Sequence, residues 1–140
     1  MRIQFVLLPL FVEVVLTFVL LSWMAVLRQQ DFRRGVRKDQ VALREPNWSV
    51  RTLQVGYCFA NQFELPMLFY VLTILSILTH HADIVFLVLA WIFVLSRIAH
   101  AVVHTTSNNI MQRGPLFGLG MVVLLIMWVI FIVRILIGLP

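Results

Sequence analysis

Four long apolar stretches alternate with shorter polar segments along the chain. They cover about residues 5–27, 50–79, 84–107 and 116–136. Each reaches the roughly 20 residues that an α-helix needs to cross a bilayer, and the second exceeds that length. The pattern therefore predicts an all-α membrane protein, in which residues 1–140 form a single domain, a bundle of four transmembrane helices.

The polar segments between these stretches determine how the helices follow one another. Residues 28–49 form one long hydrophilic segment with Gly35 and Pro46, a pattern typical of a loop with a short interfacial helix. The connection HHAD is so short that spans two and three are expected to form a tight antiparallel hairpin. The first stretch is too long for a signal peptide, and no small-residue cleavage site follows it.

The amino-acid composition agrees with a membrane protein. Hydrophobic residues make up 61% of the chain and charged residues 12%, whereas soluble domains carry about 25% charged residues. A chain this short cannot bury so many apolar side chains in one soluble core, so membrane lipids are its first expected partner. The single cysteine, Cys58, excludes an intrachain disulfide.

The net charge of +5 is unevenly distributed. The face that holds the first loop carries Arg28, Arg33, Arg34, Arg37, Lys38, Arg44, Arg51 and Arg113. The opposite face has only Arg2 and Arg134. By the positive-inside rule, the first loop is predicted to be cytoplasmic and both termini to lie on the other side; in a bacterium this would be the inner membrane. Because no nucleic-acid-binding motif accompanies the charge, no nucleic-acid partner is predicted.

Spans two and three each carry a stripe of polar side chains at membrane depth. At about 100° per residue, the members of each stripe share one helix face. The stripes are Tyr57, Asn61 and Glu64 on span two, and Arg97, His100 and His104 on span three. If the hairpin turns at residues 80–81, the two stripes face each other in one register. The predicted pairs are Glu64 with Arg97, Asn61 with His100, and Tyr57 with His104.

The pair of Glu64 and Arg97 would be a buried ion pair, in which loss of one partner typically costs about 3–5 kcal/mol. Ionisable groups at membrane depth often mark a functional site, but this pair can also be a purely structural link between helices. Pro66, two residues further on, frees the carbonyl of Gln62 to accept a hydrogen bond from a neighbouring helix or a ligand.

Two further candidates each allow two interpretations. His100 and His104 are four residues apart, and imidazole suits zinc, copper or nickel. No third close ligand is evident in the sequence, so no metal site is predicted. Arg113, just before span four, is either an anchor at the membrane interface or part of a binding site.

The motifs N-x-x-E-x-P on span two, R-x-x-H-x-x-x-H on span three and R-G-P before span four resemble those of the MAPEG family, in its bacterial type. These are membrane-associated proteins in eicosanoid and glutathione metabolism, among them leukotriene C synthase, microsomal prostaglandin E synthase and microsomal glutathione transferases. The resemblance implies a homotrimer of four-helix subunits, with glutathione bound between neighbouring subunits.

The resemblance also implies roles for individual residues. Arg113 would stabilise the glutathione thiolate, and Asn61 and Glu64 would help to bind glutathione. Arg28 is the nearest match to an arginine that contributes from the end of span one. Arg97, His100 and His104 complete the predicted glutathione site. Leukotriene C synthase has an arginine where this chain has Tyr57, and tyrosines at the positions of the two histidines, which argues against eicosanoid chemistry specifically.

Two classes of function follow from these observations. The first is a glutathione-dependent membrane transferase or peroxidase that acts on a lipophilic electrophile from the bilayer. The second is a noncatalytic membrane subunit of the same fold that binds a lipid or a partner protein. A thiol-conjugation assay separates the two.

Overall fold

Helices make up nearly all of the protein. The computed structural model describes residues 1–43 and 46–140, and Arg44, which was counted in the basic face, lies outside them. The helices are α1 (Ile3–Arg33), α2 (Lys38–Val41), α3 (Val50–Asn61), α4 (Leu65–Leu78), α5 (Ile84–Thr105) and α6 (Ile110–Ile137). Four stretches are long and apolar enough to span a membrane: α1, α3 with α4, α5 and α6. The predicted bundle of four transmembrane helices is thus confirmed.

The first and last spans extend beyond their apolar runs. α1 continues to Arg33, although the loop was expected to begin at residue 28, because hydrophilic residues continue an established helix without difficulty. It stops at Gly35, whose φ of +107° favours glycine. α6 begins at Ile110 instead of residue 116, because the Asn109 side chain caps it by accepting a hydrogen bond from the backbone N–H of Met111 at 3.0 Å.

The second span, Val50–Leu78, is not one continuous helix. α3 ends at Asn61 and α4 begins at Leu65. Pro66 lies in the first turn of α4, where its missing N–H needs no intrahelical partner. Pro66 therefore starts a helix instead of kinking one, and Glu64 lies in the break with φ −98° and ψ −104°.

Buried positions recur every three or four residues on two of the helices, which indicates a stripe facing the bundle interior. On α1 the buried residues are Val6, Pro9, Glu13, Leu20, Met24 and Asp31. On α5 the stripe includes Phe86, Ala90, Phe93, Arg97, His100 and His104. α5 packs against α6, α1 and α3 and thus lies at the centre of the bundle.

Three polar contacts hold the ends of the helices together. At one end, the Asp31 carboxylate accepts a hydrogen bond from the backbone N–H of Ser49 at 3.0 Å, and Arg51 donates to the carbonyl of Thr105. The start of α3 therefore lies beside the ends of α1 and α5. At the other end, Arg134 forms a salt bridge with Asp83 at 2.7 Å.

Candidate functional site

A cleft of about 520 Å³ opens on the surface of the bundle between α3, α5 and α6. Ten residues line it: Tyr57, Ala60, Asn61, Glu64, His100, His104, Ile110, Arg113, Gly114 and Phe117. Five of the seven predicted site residues are among them. Its volume falls within the range of about 300–1,000 Å³ that is usual for small-molecule sites.

The helix break places the two polar side chains of the second span in the cleft. Asn61 is the last residue of α3, and its amide Nδ2 lies 3.5 Å from Nδ1 of His104. The backbone carbonyl of His104 accepts a hydrogen bond of 2.7 Å from Gln54. Glu64 follows in the break itself and is exposed. The cleft thus has an amide and a carboxylate on one wall and an imidazole on the other.

The predicted pairing of the two polar stripes is wrong in its partners. Asn61 lies beside His104 instead of His100, and no ion pair links Glu64 to Arg97 in residues 1–43 and 46–140. The predicted depth of spans two and three relative to each other is approximately right. The rings of Phe69 on span two and Phe93 on span three lie with centroids 4.9 Å apart, close to the predicted register. The prediction assumed a continuous helix, whereas the break turns the Glu64 side chain outward.

Arg97 lies behind the cleft and not in it. Its side chain is fully buried, and its guanidinium carbon lies 5.6 Å from the centre of the Phe117 ring. The same ring lies 5.8 Å from the ring of His100. Phe117 therefore separates the Arg97 cation from the space that a ligand can enter, and Arg97 supports the wall instead of lining it.

Arg113 provides the cation of the cleft. It lies in the first turn of α6 and is half-buried, and its Nη1 donates a hydrogen bond of 2.7 Å to the side chain of Asn108. Asn108 itself adopts a φ of +50° at the turn between α5 and α6. A helix N-terminus favours negative charge, so the dipole of α6 and the Arg113 guanidinium act in the same direction on an anion.

Arg28 does not line the cleft. Its guanidinium carbon lies 5.0 Å from the centre of the Trp48 ring, and its side chain is exposed. Trp48 in turn packs edge-on against Phe32, with ring centroids 5.2 Å apart. The arginine therefore belongs to the surface where α1 meets the segment before α3.

Sequence reasoning did not single out two side chains, Phe117 and Glu13. Phe117 lines the cleft, but nothing distinguishes one phenylalanine in an apolar span from a lipid-facing residue. Glu13 on α1 is fully buried, with neither carboxylate oxygen hydrogen-bonded within the described chain. A lone acid in the middle of an apolar span was a usable signal, because such residues usually face a partner inside the bundle.

The histidines of the cleft do not form part of a recognisable metal centre. Their rings meet edge to face with centroids 5.6 Å apart. Within the residues that the structure describes, no group of three or more His, Cys, Asp or Glu side chains is arranged to hold a metal ion.

Comparison with known proteins identifies the family of the chain. No curated protein and no solved structure matches the chain. The model of the MAPEG family matches residues 6–133, which covers nearly the whole of the 140-residue chain and includes every residue of the cleft. The protein is therefore a multi-pass membrane protein that belongs to the MAPEG family.

Proposed function

We propose that the protein is a glutathione-dependent membrane transferase or peroxidase that acts on a lipophilic electrophile. The observation that carries this proposal is the cleft itself, which gathers Asn61, Glu64, two histidines and Arg113 around one open volume. Family membership supports the thiol, since these proteins belong to glutathione and eicosanoid metabolism.

The charges of the cleft suit a peptide-like thiol. Glutathione carries two carboxylates and one ammonium group at neutral pH, so its site needs cations and at least one acid. Arg113 and the N-terminus of α6 attract the anionic groups, and the exposed carboxylate of Glu64 attracts the ammonium. Asn61 offers a neutral amide to the peptide backbone of the ligand.

The chemistry of the proposed reaction depends on the thiolate. A neighbouring cation favours the deprotonated thiol, and the thiolate is the nucleophile. In the transferase reaction the thiol proton passes to water, the sulfur forms a bond to an electrophilic carbon of the second substrate, and the displaced group leaves with the electron pair of the bond that breaks. Arg113 stabilises the thiolate, and an apolar electrophile reaches the cleft from the lipid.

The assembly completes this proposal. The cleft opens on the surface of the subunit, and Arg28 lies elsewhere on the same chain. We propose a homotrimer in which a neighbouring subunit covers the cleft and contributes its Arg28 to the bound glutathione. In the same proposal, the basic loop faces the cytoplasm and both termini face the opposite side.

A thiol-conjugation assay on detergent-purified protein tests the function. We expect saturable glutathione binding by calorimetry and conjugation of 1-chloro-2,4-dinitrobenzene above the uncatalysed rate. Arg33→Ala, at an exposed residue outside the cleft, is the matched control and is expected to leave both unchanged. Absence of glutathione binding at millimolar concentration would overturn the proposal in favour of the noncatalytic subunit.

A further inference from the structure

Glu13 occupies a position at which a charge is costly. It lies ten residues after the start of α1, a helix of 31 residues, and none of its surface is exposed. That places it about 15 Å along the helix axis, too far from the nearer end for a short side chain to reach water. An ionisable group at this depth is expected to face an oppositely charged group.

Arg97 is the buried group of opposite charge. It is fully buried, and none of its three guanidinium nitrogens makes a hydrogen bond within residues 1–43 and 46–140. α1 and α5 pack against each other and end on the same side of the bundle, as their contacts with the start of α3 indicate. Leu20 on α1 and Ala101 on α5 belong to one buried cluster. Glu13 lies seven residues before Leu20 and Arg97 four residues before Ala101, so the two differ by only about 5 Å in depth.

The electrostatics favour Glu13 over Glu64 as the partner. Neither carboxylate forms an ion pair with Arg97 within residues 1–43 and 46–140, so burial is what distinguishes the two. Glu13 is shielded from water on α1, whereas Glu64 is exposed in the cleft. Screening by solvent weakens the attraction of an exposed charge and leaves that of a buried charge nearly intact.

We infer that Glu13 is the acidic partner of Arg97 and that, by holding this guanidinium behind Phe117, it positions the wall of the cleft. Glu64 is thereby left without an internal partner and is available to the ammonium group of a ligand. The Glu13–Arg97 partnership is independent of the function of the cleft, whereas the positioning role rests on the proposed glutathione binding.

A double-mutant cycle tests the partnership. Glu13→Gln, Arg97→Gln and the double variant are compared by thermal unfolding with a fluorogenic maleimide, which reacts with the buried Cys58 only after unfolding exposes it. Each single variant strands one buried charge, so we expect both to melt several degrees below the wild type and the double variant to melt above either single. Additive losses in the double variant would overturn the inference. Glu64→Gln combined with Arg97→Gln is the matched control and is expected to be additive.

A second measurement covers the case in which a single variant does not fold. The yield of monodisperse protein then replaces the melting temperature: a folded double variant supports the partnership, and an unfolded double variant contradicts it. Glu13→Asp, which keeps the acid, is expected to fold in either case.

Turnover measurements distinguish a positioning role of Glu13 from an effect on stability alone. We expect Glu13→Gln to lower turnover about tenfold or more, because a displaced wall misplaces the reactants, and Glu13→Asp to recover most of it. The double variant is expected to regain stability without regaining turnover. If the wild type binds no glutathione, the proposed function fails while the stability cycle still decides the partnership. If glutathione turnover is normal in Glu13→Gln, the positioning role is wrong.

Discussion

At the scale of single residues, Arg113 is the side chain on which the proposed chemistry depends most. Because its guanidinium would stabilise the thiolate and not the neutral thiol, Arg113→Ala is expected to lower kcat far more than it raises the KM for glutathione. Loss of one such charge-stabilising donor typically costs about 10²–10³ in kcat. Steady-state kinetics with varied glutathione measure the two effects separately.

Arg113→Lys keeps the positive charge without the planar donor geometry, so we expect it to restore turnover partly. An equal loss of binding and turnover in Arg113→Ala would show that the arginine only anchors the ligand. No change in either would leave Arg113 as an anchor at the membrane interface, the simpler of the two interpretations of the sequence.

The structure changes the effect expected from a substitution of Glu64. A buried pair with Arg97 would have made its loss destabilising, but the carboxylate is exposed and unpaired with Arg97. We therefore expect Glu64→Gln to weaken glutathione binding, by about tenfold for a lost charge-assisted hydrogen bond, and to leave the melting temperature within about one degree of the wild type. A large fall in melting temperature would contradict the exposed position.

Helical spacing alone predicted which of the candidate residues share one face of a helix. His100 and His104 recur with Arg97 at steps of three and four residues, so their common face on α5 followed from the sequence. Which side of that face meets the ligand and which meets the core did not follow. That distinction depends on Phe117, which shields Arg97 from the cleft, and on the neighbouring helix α1, which carries the buried Glu13.

At the scale of helices, Gly120 marks a close approach of α6 to α5. A Cβ atom there would lie 3.0 Å from Oγ of Ser96, which is held by a hydrogen bond of 2.6 Å to the carbonyl of Phe93. Gly118 has nothing within 4 Å of its own Cβ position. Both Gly→Ala changes gain helix propensity, so Gly120→Ala is expected to be less stable than Gly118→Ala by about 1–3 kcal/mol through overpacking. Equal melting temperatures would show that Ser96 moves aside freely.

Asp83 begins α5 and links it to α6. Burial acts to raise the pKa of its carboxyl, but the hydrogen bond from the Phe86 N–H and the Arg134 guanidinium outweigh burial and hold that pKa below the ordinary value of 3.8. Because folding lowers the pKa, the unfolded chain binds the proton more tightly, so acid favours unfolding. The stabilisation is complete at neutral pH and is lost as the pH falls below 3.8 towards the folded pKa.

Two substitutions separate the cap from the charge. Asp83→Ala removes both the cap and the salt bridge and is expected to cost about 1 kcal/mol at neutral pH, whereas Asp83→Asn keeps a good cap and should cost less. The stability difference between the wild type and Asp83→Asn should shrink as the pH falls below 3.8, because the aspartate is then protonated. Circular dichroism melts across this range measure it, and a difference that grows in acid would contradict the assignment.

The number of spans followed from hydropathy, but their ends and interruptions did not. Asn109 extends α6 beyond its apolar run through one side-chain hydrogen bond, which no hydropathy average detects. The broken span from Val50 to Leu78 is still long and apolar enough to cross a membrane, so hydropathy does not reveal the break. Pro66 gave the only warning of it, and a proline fits equally well a kink inside a helix and the first turn of a new one.

At the scale of the whole molecule, the proposed trimer makes the site a shared property of two chains. Native mass spectrometry in mild detergents is expected to show trimers, and monomers throughout would contradict the assembly. In a closed ring of three, each cleft meets the same face of one neighbour, so Arg113 and Arg28 of one site come from different chains.

Co-expression of two inactive variants tests that arrangement directly. If both Arg28→Ala and Arg113→Ala abolish turnover alone, random mixing in a trimer unites an intact cleft with an intact Arg28 at about one quarter of the sites, because each interface is heterologous. We therefore expect about a quarter of the wild-type turnover from the mixture. Arg113→Ala mixed with the double variant Arg28→Ala/Arg113→Ala is the matched control: every chain then lacks Arg113, so mixing rebuilds no intact cleft and no recovery is expected. No recovery in the first mixture would place Arg28 outside the shared site, whatever the oligomeric state.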